Sequence, residues 1–136
     1  MNTYYISDES FKNSNMYKDY LKENPSTGFL KIRAYTANEA VPVKGVNIII
    51  SKIINDSKII FFEGFTDTSG IIDKILLPAP KLDNNNLKAP NYTKYEITAI
   101  FNNNIKNYTI NMYENIYVTQ TINITPNMNM GDFVGY

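Results

Sequence analysis

From Gly28 onward, apolar and polar residues alternate with a period of two. Leu30, Ile32 and Ala34 alternate with Lys31, Arg33 and Tyr35, which predicts a strand with one face in a core and the other in water. The stretch Val41-Pro42-Val43-Lys44-Gly45-Val46-Asn47-Ile48-Ile49-Ile50 organises the rest of the chain. Pro42 fixes φ near −65°, Gly45 supplies the freedom of a turn, and the β-branched run predicts a second strand from Val43 to about Ile54. Asn55-Asp56-Ser57 reads as a hairpin turn into a third strand, Ile59-Ile60-Phe61-Phe62, with bulk on both faces; Ile49, Ile60, Phe62 and Ile100 fall on the face away from the core. Thr66-Asp67-Thr68-Ser69-Gly70 is a turn into a fourth strand, Ile71 to Leu77, stopped by Pro78-Ala79-Pro80. A polar loop from Lys81 to Tyr92 precedes a fifth strand marked by Tyr95, Ile97, Ala99 and Phe101. Tyr108, Ile110 and Met112 mark a sixth, and Val118, Ile122 and Ile124 a seventh, closed by Pro126. Seven short strands with no long helix among them predict an all-β fold, a seven-stranded immunoglobulin-like β-sandwich. Its expected core is Leu30, Ile32, Val46, Ile48, Ile50, Phe61, Ile75, Leu77, Tyr95, Ile97, Ala99, Ile110, Ile122 and Ile124.

The two ends break the pattern. Tyr4-Tyr5-Ile6 can pair as a short strand and Ser7-Asp8-Glu9-Ser10 reads as a helix start. Phe11, Tyr17, Tyr20 and Leu21 then form an apolar stripe at helical spacing that ends before Asn24-Pro25. The tail carries Met128, Met130, Phe133 and Tyr136. The expected organisation is an N-terminal arm with one short helix (1–27), a sandwich (28–126) and a C-terminal tail (127–136). A sandwich does not require these aromatic and Met side chains. Tyr4, Tyr5, Ile6, Phe11, Tyr17, Tyr20, Leu21, Met128, Met130, Phe133 and Tyr136 are therefore the expected interface with neighbouring subunits, with Tyr4-Tyr5-Ile6 adding to a neighbour's open sheet edge. The alternative is that the arm folds back to cover one end of its own domain.

Composition narrows the chemistry. At 136 residues the chain fits one domain with a core of its own. Its 13 basic and 13 acidic residues cancel, so no global field draws it to nucleic acid or to an anionic membrane. Cys, His and Trp are all absent. That removes disulfides, the usual zinc ligands, Ser-His and Cys-His dyads and the commonest general base, so no catalytic residue, cofactor or metal is expected. No stretch reaches the roughly 20 apolar residues of a membrane span, and Met1-Asn2-Thr3-Tyr4-Tyr5 has neither the basic nor the apolar region of a secretory leader. Asp67-Thr68-Ser69-Gly70 is a capped turn; Ser69 interrupts the Asp-Thr-Gly of aspartic proteases. Asp83-Asn84-Asn85 offers oxygen ligands in the 81–92 loop but too few carboxylates for more than a weak calcium site. Glu63, Glu96 and Glu114 lie on separate segments with no sign of convergence.

The order of the motifs carries a resemblance. Gly28-Phe29-Leu30, Pro42-Val43-Lys44-Gly45-Val46-Asn47-Ile48, Thr66-Asp67-Thr68-Ser69-Gly70, Leu77-Pro78-Ala79-Pro80, Tyr95-Glu96-Ile97 and Gln120-Thr121-Ile122-Asn123-Ile124-Thr125-Pro126 together resemble the carboxypeptidase regulatory-like domains. These are prealbumin-like sandwiches related to the B-type repeats of adhesins. The Leu-Pro-Ala-Pro and terminal Gln-x-Ile signals look most like the non-catalytic module of clostridial spore-cortex-lytic enzymes. The resemblance spans roughly Gly28 to Pro126 and implies a non-catalytic module. Adhesin repeats of this kind carry a Lys–Asn isopeptide bond. Here the Lys position falls on Ala34 and the acid position on Ala99, leaving Asn123 without partners, so no such bond is expected.

These observations lead to a non-enzymatic structural subunit, a homo-oligomer or a scaffold-bound component of a phage virion, tail-like particle or spore surface. The competing expectation is an accessory module that binds cell-wall glycan or peptide.

Overall fold

The computed structural model describes residues 1–36, 38, 40–83 and 91–125. The alternating stretches become β2 (Ser26–Thr36), β3 (Asn47–Ile54), β4 (Ser57–Phe65), β5 (Ile71–Ala79), β6 (Thr93–Phe101), β7 (Asn104–Met112) and β8 (Tyr117–Ile124). A further strand, β1 (Thr3–Tyr5), and two helices, α1 (Glu9–Lys12) and α2 (Asn15–Glu23), precede them. The strands form a five-stranded sheet in the order β1-β4-β3-β6-β7 and a three-stranded sheet in the order β5-β2-β8. β1–β4 and β2–β8 are parallel pairs; the other neighbours are antiparallel. The chain is an all-β sandwich with the core between the two sheets.

The hairpins arise from their turn residues. Asn55 and Asp56 (φ 47° and 63°) join β3 to β4, and Asn102 and Asn103 (φ 48° and 65°) join β6 to β7. Two successive positive φ values give the turn whose twist matches paired strands, and Asn and Asp tolerate them. Gly70 (φ 74°) closes the β4–β5 turn, where a Cβ would sit 2.4 Å from the Ala34 carbonyl oxygen. Thr66 locks the approach to β3: its hydroxyl accepts from Val46 N (3.0 Å) and donates to Val43 O (2.7 Å).

Several expectations are corrected. There are eight strands among the described residues rather than seven, because Thr3–Tyr5 pairs with Lys58–Ile60 of the chain's own β4. The single arm helix is two. Asp8 caps α1 by accepting from Ser10 N, and Ser14 caps α2 by accepting from Tyr17 N, so the chain turns between the two helices. The second strand starts at Asn47, not Val43; Pro42 makes only an isolated bridge to Tyr35, and Gly45 (φ 84°) turns the chain before β3. Of the expected core, Ile124 alone is half-buried, at the end of an outer strand. Ala34, which the alternation places inward, joins the core, as do Phe11, Tyr20, Ile59, Ala79 and Met112; Ile60 is buried as well. In β4, Ile50 faces Phe62 and Ser51 faces Ile60, which leaves Phe61 as a bulge. The bulge breaks the alternation, so Phe62 packs against the core, while Ile60, opposite Ser51 on the face away from the core, is nevertheless buried beside β1.

Candidate functional site

The arm residues expected at an interface are brought together, but largely against the chain's own sandwich. β1 extends the β4 edge, and Tyr4 stacks on Phe11 (centroids 5.3 Å, 17° between planes), which tilts against Tyr17 at 5.5 Å. Phe11 is buried. Tyr20, also buried, meets Phe61 at 5.6 Å and donates its hydroxyl to that of Tyr95 (2.8 Å), which donates to Pro78 O (2.5 Å). Burial raises the pKa of both hydroxyls, most strongly for Tyr95. At the end of α2, buried Asn24 donates to Tyr20 O (3.0 Å) and accepts from the Thr93 hydroxyl, tying the helix to β6. Phe11 and Tyr20 are therefore corrected from interface to core. Ile6 and Tyr17 are half-buried, whereas Tyr5 and Leu21 stay exposed. Met128, Met130, Phe133 and Tyr136 lie outside the described residues.

The carboxylates do structural work or stand apart. Asp67 Oδ1 accepts from Ser69 N (2.9 Å) and Ile71 N (3.0 Å), the capped turn that the sequence suggests. Glu114 accepts from the Ser26 hydroxyl and from Leu82 N (3.1 Å), and these bonds lower its pKa. Glu63 on β4 and Glu96 on β6 are separated by β3 and offset by two residues along it, hence by about 12 Å. Among the described residues no three Asp or Glu converge as metal ligands; Asn84 and Asn85 of the suggested calcium site fall outside them.

Two shallow clefts of about 470–480 Å³ border the larger sheet's end and α2. In the first, Lys52 Nζ donates to Lys94 O (2.8 Å) and lies 5.8 Å from the Tyr95 ring centre; burial, then the Lys94 charge, lowers its pKa. The second is lined by Tyr17, Leu21, Pro25, Leu76 and Pro78.

More distinctive is the outer face of the three-stranded sheet. Alternation along β2 turns Leu30, Ile32 and Ala34 inward and leaves Phe29, Lys31, Arg33 and Tyr35 on the other side. Register sets Phe29 between Leu76 and Tyr117, and Arg33 between Ile71 and Thr121. Phe29 and Tyr117 stack at 4.5 Å and 19°, with Lys74 Nζ 5.0 Å and 5.9 Å from their centres. The Arg33 guanidinium lies 4.9 Å from the Tyr35 ring and donates to its hydroxyl at 2.8 and 3.2 Å. Tyr117 is 67% exposed. On sequence alone these polar-side positions read as a face in water with no site upon it. The alternation that places Lys31, Arg33 and Tyr35 on one face is the available signal, but their partners from β5 and β8 require the register.

No protein-family model and no curated protein matches the sequence. Among solved structures, the chain is similar to Klebsiella pneumoniae 5-hydroxyisourate hydrolase, with 15% identity and a TM-score of 0.49 over 74% of this chain and 91% of that one. It is also similar to an (S)-allantoin synthase, with 12% identity and a TM-score of 0.51 over 76% of this chain and 42% of that one. At such identities the likeness concerns the fold alone, and it agrees with a prealbumin-like sandwich. No chemistry carries over from the names of these two proteins.

Proposed function

We infer that the protein is a non-enzymatic structural subunit of a bacterial or phage particle or surface layer, joined to copies of itself through an open sheet edge. The observation that supports this reading is β8. Among the described residues it is the last strand of its sheet, and one row of its backbone N–H and C=O groups has no strand partner among them. Exposed edges are ordinarily blunted with Lys, Pro, bulges or charge. From Tyr117 to Ile124 β8 has none of Lys, Arg, Asp, Glu, Pro or Gly. By contrast, the β5 edge carries Asp73, Lys74 and Pro78, and β7 carries Lys106. Lys106 Nζ donates to the Asn123 carbonyl (2.5 Å), closing only the far end of β8. The tail with Met128, Met130, Phe133 and Tyr136 follows β8 directly in sequence. Phe11 and Tyr20, spent on the chain's own core, take no part.

Because Lys106 takes the Asn123 carbonyl, the odd-numbered residues of β8 direct their backbone groups away from β2. Thr119→Pro and Thr121→Pro thus delete outward donors alone. Light scattering after gel filtration should show the unaltered chain as an oligomer and the double proline variant as a monomer with native circular dichroism. A chain that stays monomeric at high concentration, or a variant that assembles equally well, overturns the reading.

A further inference from the structure

The outer face of the three-stranded sheet concentrates positive charge in a chain whose charges otherwise cancel. Lys31, Arg33 and Lys74 share it with Asp73 alone among the acidic residues of its three strands. Among the described residues the one carboxylate ion pair is Lys22–Asp19 on α2, and none of the three cations pairs with a described carboxylate. Two of them are instead held against aromatic rings, Lys74 at Phe29 and Tyr117 and Arg33 at Tyr35. Such contacts orient a cation without cancelling its charge. The aromatic rows at Phe29 and Tyr35 stand six residues apart along β2, about 20 Å at strand rise, with the cations between them. This is a flat track for an extended anion rather than a pocket for a small one.

The neighbouring groups narrow the class of anion. Thr119, Thr121 and Asn123 form the β8 row of the same face, in register with Lys31, Arg33 and Tyr35. They offer hydroxyls and an amide to a ligand rich in hydroxyls. Binding of single-stranded nucleic acid relies on free ring faces on which bases stack. Here Phe29 stacks on Tyr117 and has Lys74 Nζ 5.0 Å from its ring centre, which leaves the exposed Tyr117 as a single stacking platform where a run of bases needs several in succession. We propose that this face binds an anionic polysaccharide, a sugar chain bearing carboxylate or phosphate groups, laid along β2 with its anions at Lys31, Arg33 and Lys74. Tyr117, at the outer strand, covers an apolar sugar face, and the β8 row meets the hydroxyls. A single copy carries the whole site, so binding does not require self-assembly.

The test is affinity electrophoresis of the full chain through gels holding polygalacturonate, poly(glycerol phosphate), neutral dextran or single-stranded poly(dT). Retardation is expected with polygalacturonate, with poly(glycerol phosphate) or with both, and which of the two retards more identifies carboxylate or phosphate as the preferred anion. It should weaken as salt is raised. Changing Lys31, Arg33 and Lys74 to Gln together should weaken binding at least about tenfold, since each charge-assisted contact accounts for several-fold in affinity. A variant with Lys12, Lys18 and Lys22 changed to Gln carries the same net charge change on the arm helices and should bind like the unaltered chain. Equal loss in both variants, equal retardation by dextran, no retardation by either anionic sugar polymer, or tighter binding to poly(dT) each overturns the proposal. Native circular dichroism of both variants excludes misfolding as the cause of a loss.

Discussion

Removing the Tyr95 hydroxyl tests whether the arm is built into the fold. The ring is 1% exposed and the hydroxyl sits at the centre of a two-bond relay, accepting from Tyr20 and donating to Pro78 O. Tyr95→Phe keeps the ring against Phe61 (5.1 Å) but breaks both bonds. Each bond contributes about 0.5–1.5 kcal/mol net, and the Tyr20 hydroxyl, itself on a buried residue, is left without its acceptor at a further cost of about 1 kcal/mol or more. The expected loss is therefore about 2–4 kcal/mol. Tyr20→Phe breaks one bond and leaves Tyr95 donating to Pro78 O, so it should cost only about 1 kcal/mol. In the Tyr95→Phe background, Tyr20→Phe removes the orphaned hydroxyl and should be neutral or slightly stabilising. Urea titrations followed by tyrosine circular dichroism at constant slope give all three values. If Tyr95→Phe costs no more than Tyr20→Phe, or if the two losses simply add, the relay is not what holds the arm.

Four other outcomes are expected. Gly70→Ala should cost more than Gly45→Ala in urea titration: both positions have positive φ, worth about 1–2 kcal/mol for an L side chain, but only at Gly70 would the new Cβ meet backbone, 2.4 Å from Ala34 O, whereas at Gly45 nothing lies within 4 Å. Asn47→Val should gain about 1 kcal/mol in the same assay, because Asn47 Oδ1 is buried without a hydrogen-bond partner on a strand position that suits a β-branched residue. Stability should fall as pH rises above about 10, the unfolded tyrosine value: the folded pKa values of Tyr20 and Tyr95 are raised, so their contribution is complete below that pH and is lost above it, and the slope should be shallower in Tyr95→Phe. Intact mass should equal the sequence mass, since Ala34 and Ala99 line the core where an isopeptide bond would need Lys and an acid; a deficit of one ammonia or one water would refute this.

The seven strands of the sandwich were legible because one-sided burial writes itself into period two, as at Leu30, Ile32 and Ala34. Asn-Asp and Asn-Asn marked the hairpins for an equally local reason, their tolerance of positive φ. What was illegible depended on a distant partner. The run Ile59-Ile60-Phe61-Phe62 has no alternation from which to read a bulge, and only pairing with Ile50 and Ser51 fixes it. The helical stripe of Phe11, Tyr17, Tyr20 and Leu21 said that the arm buries something, but not whose surface it meets. The answer lies in Phe61 and Tyr95, both far along the chain from the arm. The cationic face was half legible: β2 supplied Lys31, Arg33 and Tyr35 in plain alternation, while Lys74 and Tyr117 joined them only through register.

With the arm committed to the β4 edge, β8 is where assembly and ligand binding meet. Its odd-numbered side chains, Tyr117, Thr119, Thr121 and Asn123, stand on the cationic face, and the backbone of those same residues forms the open edge. A second copy pairing along β8 adds its own three strands to the sheet, so the two outer faces become one surface and the rows of Lys31, Arg33 and Lys74 are doubled. A polymer bound to one copy then meets the second as an intramolecular event, at an effective concentration set by strand spacing rather than by diffusion. The proline variants at Thr119 and Thr121 leave every cation in place but also remove two hydroxyls of the binding row, so they should weaken binding of short oligosaccharides slightly and that of long chains much more. Gln replacements at the cations should weaken both. Proline variants that keep the parent's gain in avidity for long over short chains would separate the edge from the face and leave two unrelated surfaces on one strand.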